Sequence, residues 1–435
     1  MWGRFRSNPG HACQSVLFWI FWFSLASYPV AYLVRRFIPV IALPFLLGYY
    51  FFCWRETVLA RLPIRWLFYC LFGMVAIGIV FSCNVEASWL HVRRNFYKGL
   101  LLPFIAMECV RNGRDLRRLT WAMVIACFWE GLDGVWQAWT GADFIHGFPL
   151  HAGRLTGSLG DYPIGNYIAL ALVPAWGIWH LLRERLTRFA SAATCVVLLG
   201  PGLFLLNGAA TRSGMLSLAC GMGLWSLFQT QRLSCKFVLR GCAVFALIFA
   251  CFWGGQYLSA PKQTTRFTVD TVSGDGRWGF WQTAMGIVRE YPVFGAGAGT
   301  FRETFERLDI APKFDVKAAS HPHDLYLDIL YAHGIVGFGL GMCFLLGAPW
   351  WALRHILPRM RQELLAAQVR SFWRLTLCFW LGYASWLVNG IFGHNFYRVW
   401  YLALAMSFLG VVLGAVVNGM AREKEGKLAF ARNCG

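Results

Sequence analysis

The stretch His321-Pro322-His323-Asp324, followed by nine residues and then Gly334-Ile335-Val336-Gly337, places two imidazoles and a carboxylate where a long polar segment meets an apolar one. An imidazole with an unperturbed pKa of about 6.5 can take a proton from a hydroxyl at neutral pH, which makes His323 a candidate general base. His321 precedes a proline, which favours extended backbone and looser chain. His323 is expected to begin the helix that follows. Neighbouring residues on a helix point apart, so Asp324 is not assigned to orient the His323 ring. The plainer alternative is that these histidines contact head groups or cap the helix.

Two arginines sit beside turns. Arg212 lies in Asn207-Gly208-Ala209-Ala210-Thr211-Arg212-Ser213-Gly214, between two apolar stretches and among small residues that leave room for a ligand. Arg277 follows Ser273-Gly274-Asp275-Gly276 and opens a helical pattern. A guanidinium clamps phosphate oxygens through two parallel hydrogen bonds, and open amides at a helix start favour anions, so both positions suit a diphosphate. An interfacial arginine also serves simply to anchor its helix to head groups. Glu130 and Asp133 interrupt an apolar stretch and must face a cavity or a partner, as an ion pair, a packing contact or a substrate contact. Gly295-Ala296-Gly297-Ala298-Gly299 lacks the glycine spacing of a nucleotide loop and reads as a flexible turn.

The elements that must carry these groups follow from composition. With 57% hydrophobic and 17% aromatic residues over 435 positions and a mean hydropathy of +0.49, the chain cannot cover itself with polar surface. It reads as an all-α polytopic membrane protein. Apolar stretches long enough to cross about 30 Å of hydrocarbon recur at residues 16–34, 37–54, 66–82, 96–110, 119–139, 163–182, 189–206, 214–228, 237–258, 325–353, 375–392 and 399–417, giving about twelve spans. Residues 1–258 then hold the earlier spans with short loops, 259–324 form one large polar loop, and 325–435 hold the last spans and a short tail. Inside that loop, 277–291 carries Trp278, Trp281, Met285 and Val288 at helical spacing. Residues 301–310 carry Phe301, Phe305 and Leu308 opposite the pairs Arg302/Glu306 and Glu303/Arg307. Both read as amphipathic helices over the membrane mouth.

More than half of the 40 Lys and Arg residues fall in segments that are cytoplasmic if both termini lie inside, which puts the large loop in the periplasm. The pair Arg35-Arg36 is the exception, falling outside after the first span. The net charge of +19 is thus a topology signal toward acidic lipids and calls for no nucleic acid. The first apolar run lacks a small-residue cleavage site and is expected to stay as an anchor. None of the 14 cysteines lies in 140–162 or 259–324, so no disulfide framework is expected, and no metal-ligand spacing stands out.

These residues resemble the O-antigen ligase and O-antigen polymerase superfamily of bacterial envelope glycosyltransferases. In the ligase signature a histidine is followed by Asn, Ser or Gln, nine residues, a glycine, two residues and a small or polar residue; His323, Gly334 and Gly337 fit it, and Asp324 departs at the second position. Arg277, Trp281, Ala284, Ile287, Pro292, Gly295, Gly297 and Phe301 are similar to the family's arginine-led stretch. Thr211-Arg212-Ser213-Gly214 resembles its earlier arginine, and Gly153-Arg154-Leu155-Thr156-Gly157 the turn that opens the shared core. The resemblance covers residues 154–343. It implies a bacterial inner-membrane enzyme moving O-antigen polysaccharide from undecaprenyl diphosphate to lipid A-core on the periplasmic side, inverting and free of metal and cofactor. His323 would be catalytic, Arg212 and Arg277 would bind diphosphate, and Arg154, His321 and Asp324 would contact substrate. The polymerase branch shares the donor chemistry. From another class, a polytopic transporter or flippase fits the span count, although its long connection is normally central and cytoplasmic.

Overall fold

A computed structural model of the chain describes residues 9–28, 32–95, 97–160, 164–228, 239, 250, 277–310, 321–365, 371–393, 396–397 and 399–434. It is 82% helical and, among the described residues, has no strands. In chain order the helices are α1 (Pro9–Ala26), α2 (Tyr32–Cys53), the short α3 (Val58–Arg61), α4 (Leu67–Val80), α5 (Val85–Asn95), α6 (Tyr97–Cys109), α7 (Gly113–Thr140), α8 (Ile164–Leu182), α9 (Arg188–Gly208), α10 (Arg212–Phe228), α11 (Arg277–Glu290), α12 (Phe301–Arg307), α13 (Leu325–Leu365), α14 (Phe372–Gly390) and α15 (Val399–Cys434).

A helix stands at each apolar stretch read from the sequence that falls on described residues; 237–258 lies outside them but for residues 239 and 250, as do 259–276 and 311–320 of the large loop. Five described helical stretches are long and apolar enough to cross a membrane, Ile38–Arg61, Ile164–Arg185, Arg188–Gly208, Leu325–Glu363 and Tyr401–Glu425. The first helix is displaced from expectation. It opens at Pro9, whose missing N–H and fixed φ suit a first helical position, and ends at Ala26, so that Arg35 and Arg36 fall inside α2 rather than in a connecting loop. Local capping rules hold elsewhere. Asn112 accepts hydrogen bonds from the amides of Arg114 and Asp115 to start α7, and Gly141 ends that helix with φ +84°.

Two helices are enclosed by the rest. The apolar window of Tyr401–Glu425 is 94% buried and that of Ile164–Arg185 78%, against 22% for Arg188–Gly208. Thus α15 and α8 are central posts, α15 packed on α6 and α14, and α8 on α7, α9, α10 and α14. Polar residues on α7 are spent on the loop that follows it. Glu130 accepts from the Ser158 amide at 2.7 Å and hydroxyl at 2.8 Å, Asp133 from the Phe144 amide at 2.6 Å, and Gln137 from the amides of Thr156 at 2.9 Å and Gly157 at 3.0 Å. These three lie on one helical face and form a rail from which residues 143–158 hang. Both carboxylates therefore contact the loop that follows α7, accepting from its backbone amides and from the Ser158 hydroxyl.

The long α13 is broken at Gly334, which has φ +61° and ψ −171°. The hydrogen bonds lost at the break are exchanged with the turn after α11. Ile335 and Val336 donate to the carbonyls of Pro292 and Val293 at 2.9 and 3.2 Å, while Ala296 and Gly297 donate to those of Tyr331 and Ala332 at 2.8 and 3.0 Å. A Cβ on Gly334 would overlap the Val293 backbone, and one on Gly295 the backbone of Ala332 and His333. Gly297 is pressed against Ser82 and Ser88, and Gly299 against His91. The Gly295–Gly299 segment is therefore a clamped turn, with Ala296 and Ala298 fully buried, and the expectation of a flexible one is corrected. Its glycines serve close backbone approach and positive φ, not mobility.

Gly334→Ala should accordingly lower the thermal midpoint of the detergent-solubilised protein, since the backbone region alone costs a side chain about 1–3 kcal/mol before the overlap is counted. Gly339, five residues on, has open space around it, so Gly339→Ala should leave the midpoint unchanged or raised. Equal behaviour of the two variants would contradict the exchange.

Candidate functional site

His323 lies one residue before a helix cap. Asp324 accepts from the amides of Tyr326 and Leu327, both at 2.8 Å, and its carbonyl accepts from Asp328 at 2.9 Å. The helix therefore starts at Leu325, and His323, expected to begin it, instead sits at φ +55° in a region costly to residues with a Cβ. Its ring is packed between two others, His321 at 4.1 Å and Phe280 at 5.3 Å and 26°. The expectation of loose chain at His321 is also corrected: that residue is only 9% exposed, because its ring fills the space against His323. Asp324 departs from the signature in sequence yet not in physics. Like Asn and Ser it is a strong N-cap residue. Burial pushes its carboxyl up to about 6, against the pull of the two amides it accepts.

Arg277 is the first residue of α11 and Phe280 lies one turn on, so the start of that helix faces His323. The buried face of α11 is Gly279, Thr283, Ala284 and Ile287, whereas Trp278 and Met285 of the expected apolar stripe are exposed. Small residues allow the close approach to α13 that the backbone exchange needs. On α12, Phe301 and Phe305 are buried, and Phe301 meets the Tyr331 ring at 5.2 Å. Both helices are packed on α13 or its neighbours rather than floating over the bundle. The Arg302–Glu306 pair forms at 2.8 Å. The other expected pair does not: Glu303 accepts from the Asn84 side chain at 3.0 Å, and Arg307 donates to the Tyr291 hydroxyl at 2.6 Å.

Arg212 opens α10, with the Thr211 carbonyl taking the first intrahelical bond from Met215 at 3.1 Å. Its neighbour Ser213 donates to Asn166 in the first turn of α8, and Asn166 also accepts from Asn389 at the end of α14. The next residue, Gly390, packs directly against Leu325, two residues past His323. Arg154 sits in a small antiparallel bridge with His151, and the following amide, of Leu155, donates to the Gly208 carbonyl at 3.1 Å, shortly before Arg212. The fold thus brings Arg154, Arg212, Arg277, His321, His323 and Asp324 to one end of the bundle. Sequence reasoning missed Phe280, Asn166 and Asn389. The only signal for Phe280 is its spacing of three from Arg277; the two asparagines carry none.

The chain is thus an all-α polytopic membrane protein that carries two packed imidazoles and two arginine-led helix starts. Residues 201–342 match the O-antigen ligase family, which is consistent with a member of the O-antigen ligase-like superfamily and with ligase- or polymerase-type transfer of lipid-linked polysaccharide. The matched stretch takes in Arg212, Arg277 and His323. Comparison with curated proteins finds no match.

The capping role of Asp324 is testable through its titration. Its folded value, about 6, lies above the ordinary 3.8, so the fold favours the protonated form, and stability present below the ordinary value is lost as pH rises through the folded one. Asp324→Asn keeps the capping oxygen without a charge to bury. Its thermal midpoint should rise relative to the parent as pH increases from 4 to about 6, whereas Asp324→Ala should be less stable by about 1 kcal/mol below that window. A pH-independent difference between Asn and Asp would show that burial does not hold the carboxyl up.

Proposed function

We propose that the protein transfers O-antigen polysaccharide from undecaprenyl diphosphate to a hydroxyl of lipid A-core, with inversion, at the periplasmic face of the bacterial inner membrane. The observation that carries this reading is the His323 ring held against Phe280, one turn from Arg277, which puts a candidate base beside a candidate diphosphate clamp. His323 takes the acceptor proton as the hydroxyl oxygen attacks the anomeric carbon. The bond from that carbon to the diphosphate oxygen breaks, and its electron pair stays on the diphosphate. Arg212, Arg277 and the amides at the starts of α10 and α11 meet the charge that grows there. His321 positions the base through its ring, and Arg154 contacts the glycan. The diphosphate leaving group supplies the driving force, and no metal or cofactor takes part.

Purified protein in liposomes, given undecaprenyl-diphosphate-linked glycan and either lipid A-core or a second lipid-linked glycan, tests this directly. Product should form on lipid A-core and survive EDTA. His323→Ala should lose about 10²- to 10⁴-fold in rate while still binding donor, and His321→Ala should lose less. Lysine at Arg212 or Arg277 should restore only part of what alanine removes, since it lacks the planar fork. A His323→Ala enzyme within a few-fold of the parent would remove the base. Product formed only on the second lipid-linked glycan would move the protein to the polymerase branch, and Mg²⁺-restored activity after EDTA would show that a metal neutralises the diphosphate.

The orientation has its own test. A cysteine at Ser273 should react with a membrane-impermeant reagent once the outer membrane is permeabilised. Labelling only after the inner membrane is opened would reverse the topology.

A further inference from the structure

We propose that Asn166 and Asn389 are positioning residues for Arg212, forming an amide bridge that sets the rotation of α10 and so the direction in which the guanidinium leaves it. This rests on the reading of Arg212 as a diphosphate ligand. The Asn166 Oδ1 accepts two hydrogen bonds, from the Ser213 hydroxyl at 3.0 Å and from Asn389 Nδ2 at 3.1 Å. Asn389 Nδ2 also lies 3.5 Å from the Ser217 hydroxyl, which itself donates to the Gly214 carbonyl at 2.8 Å. One amide pair therefore ties the start of α8, the first two turns of α10 and the end of α14.

The site is tight and dry enough for direction to matter. Asn389 and Ser217 are fully buried. A Cβ on Gly214 would come within 3.0 Å of both Asn166 Oδ1 and the Gly165 carbonyl, and one on Gly165 would overlap the Thr211 hydroxyl. The two helix starts thus touch backbone to backbone, and Ser213, which carries the bridge, is the residue next to Arg212. Without the Asn389 donor, Asn166 Oδ1 keeps its bond from Ser213, but this tie between α8 and the end of α14 is lost and α10 is freer to turn.

Helix association alone does not require this bridge. Nearer the other end, α8 and α14 meet through small residues, Gly177 lying 3.0 Å, counted from an added Cβ, from Cys378 and Leu375, and Gly382 in the same sense 3.3 Å from Pro174. The amides are confined to the level of Arg212. A displacement of about 1 Å in a group aimed at developing charge can cost 10²-fold in rate, so a bridge that removes one rotation has a kinetic use that apolar packing does not supply.

A double-mutant cycle in the full-length protein tests it, reading binding of undecaprenyl diphosphate and transfer rate in liposomes, with the thermal midpoint as control. Asn389→Leu keeps volume and removes the donor; it should weaken binding and slow transfer by roughly 10-fold or more. In the Arg212→Ala background the same change should do nothing further, because the group it positions is gone. Additive loss in that background, or no loss in the parent, overturns the bridge while leaving the clamp standing. Full binding and transfer by Arg212→Ala overturns the clamp itself, and the bridge with it. Should Asn389→Leu not fold, Ser213→Ala removes the other donor with a smaller change and must show the same non-additivity; additive loss there overturns the bridge equally.

Discussion

The break in α13 at Gly334 is the constraint on which the rest of the site depends. Within a bilayer a helix cannot stop offering its amides and carbonyls to itself unless other protein groups take them. Here they are taken by the turn after α11, through four backbone hydrogen bonds between residues 292–297 and 331–336. That exchange pins α11 across α13, and only because it is pinned does Phe280 reach the His323 ring. The glycines at 295, 297, 299 and 334 all have positive φ, and the first three and Gly334 each press on a neighbour that a Cβ would displace. The clamp is a property of backbones, which is why it tolerates so little side chain.

Around it, polar groups are used to hold loops and helix starts rather than to fill the core. Glu130, Asp133 and Gln137 bind a loop backbone along one side of α7. Asp324 satisfies two amides at the start of α13, and Asn166 joins three helices beside Arg212. Buried polar atoms in such surroundings are costly unless paired, so each pairing also fixes a geometry. The proposed chemistry needs that stiffness, since a base and two cations act on one substrate only if their helix starts keep a set distance.

Much was legible in the sequence because some signals are local. Stretch length and apolarity located the helices, and the turns before Arg212 and Arg277 located their starts. The i,i+4 rule found Arg302–Glu306. The same rule failed for Glu303, because Asn84 offers two hydrogen bonds from a distant segment and outcompetes an exposed arginine. The apolar stripe of α11 packs only in part, Val288 lying against the core, for a related reason. Trp278 and Met285 are apolar, but the face that packs is the small one, Gly279, Thr283 and Ala284, where two backbones must come close.

By itself, then, the sequence determined that this is a helical membrane protein, where its helices run, and which residues sit at their ends, because hydrophobic length, capping and turn chemistry act within a few residues. Tertiary structure alone decided that the His321 ring meets His323 edge to face, that Asp324 caps the helix, that Glu130 and Asp133 contact a loop, and that Gly295–Gly299 is a clamp. Each of these is a contact between segments distant in sequence or set by the exact path of a turn, and what selects it is close packing and the need to pair every buried polar group.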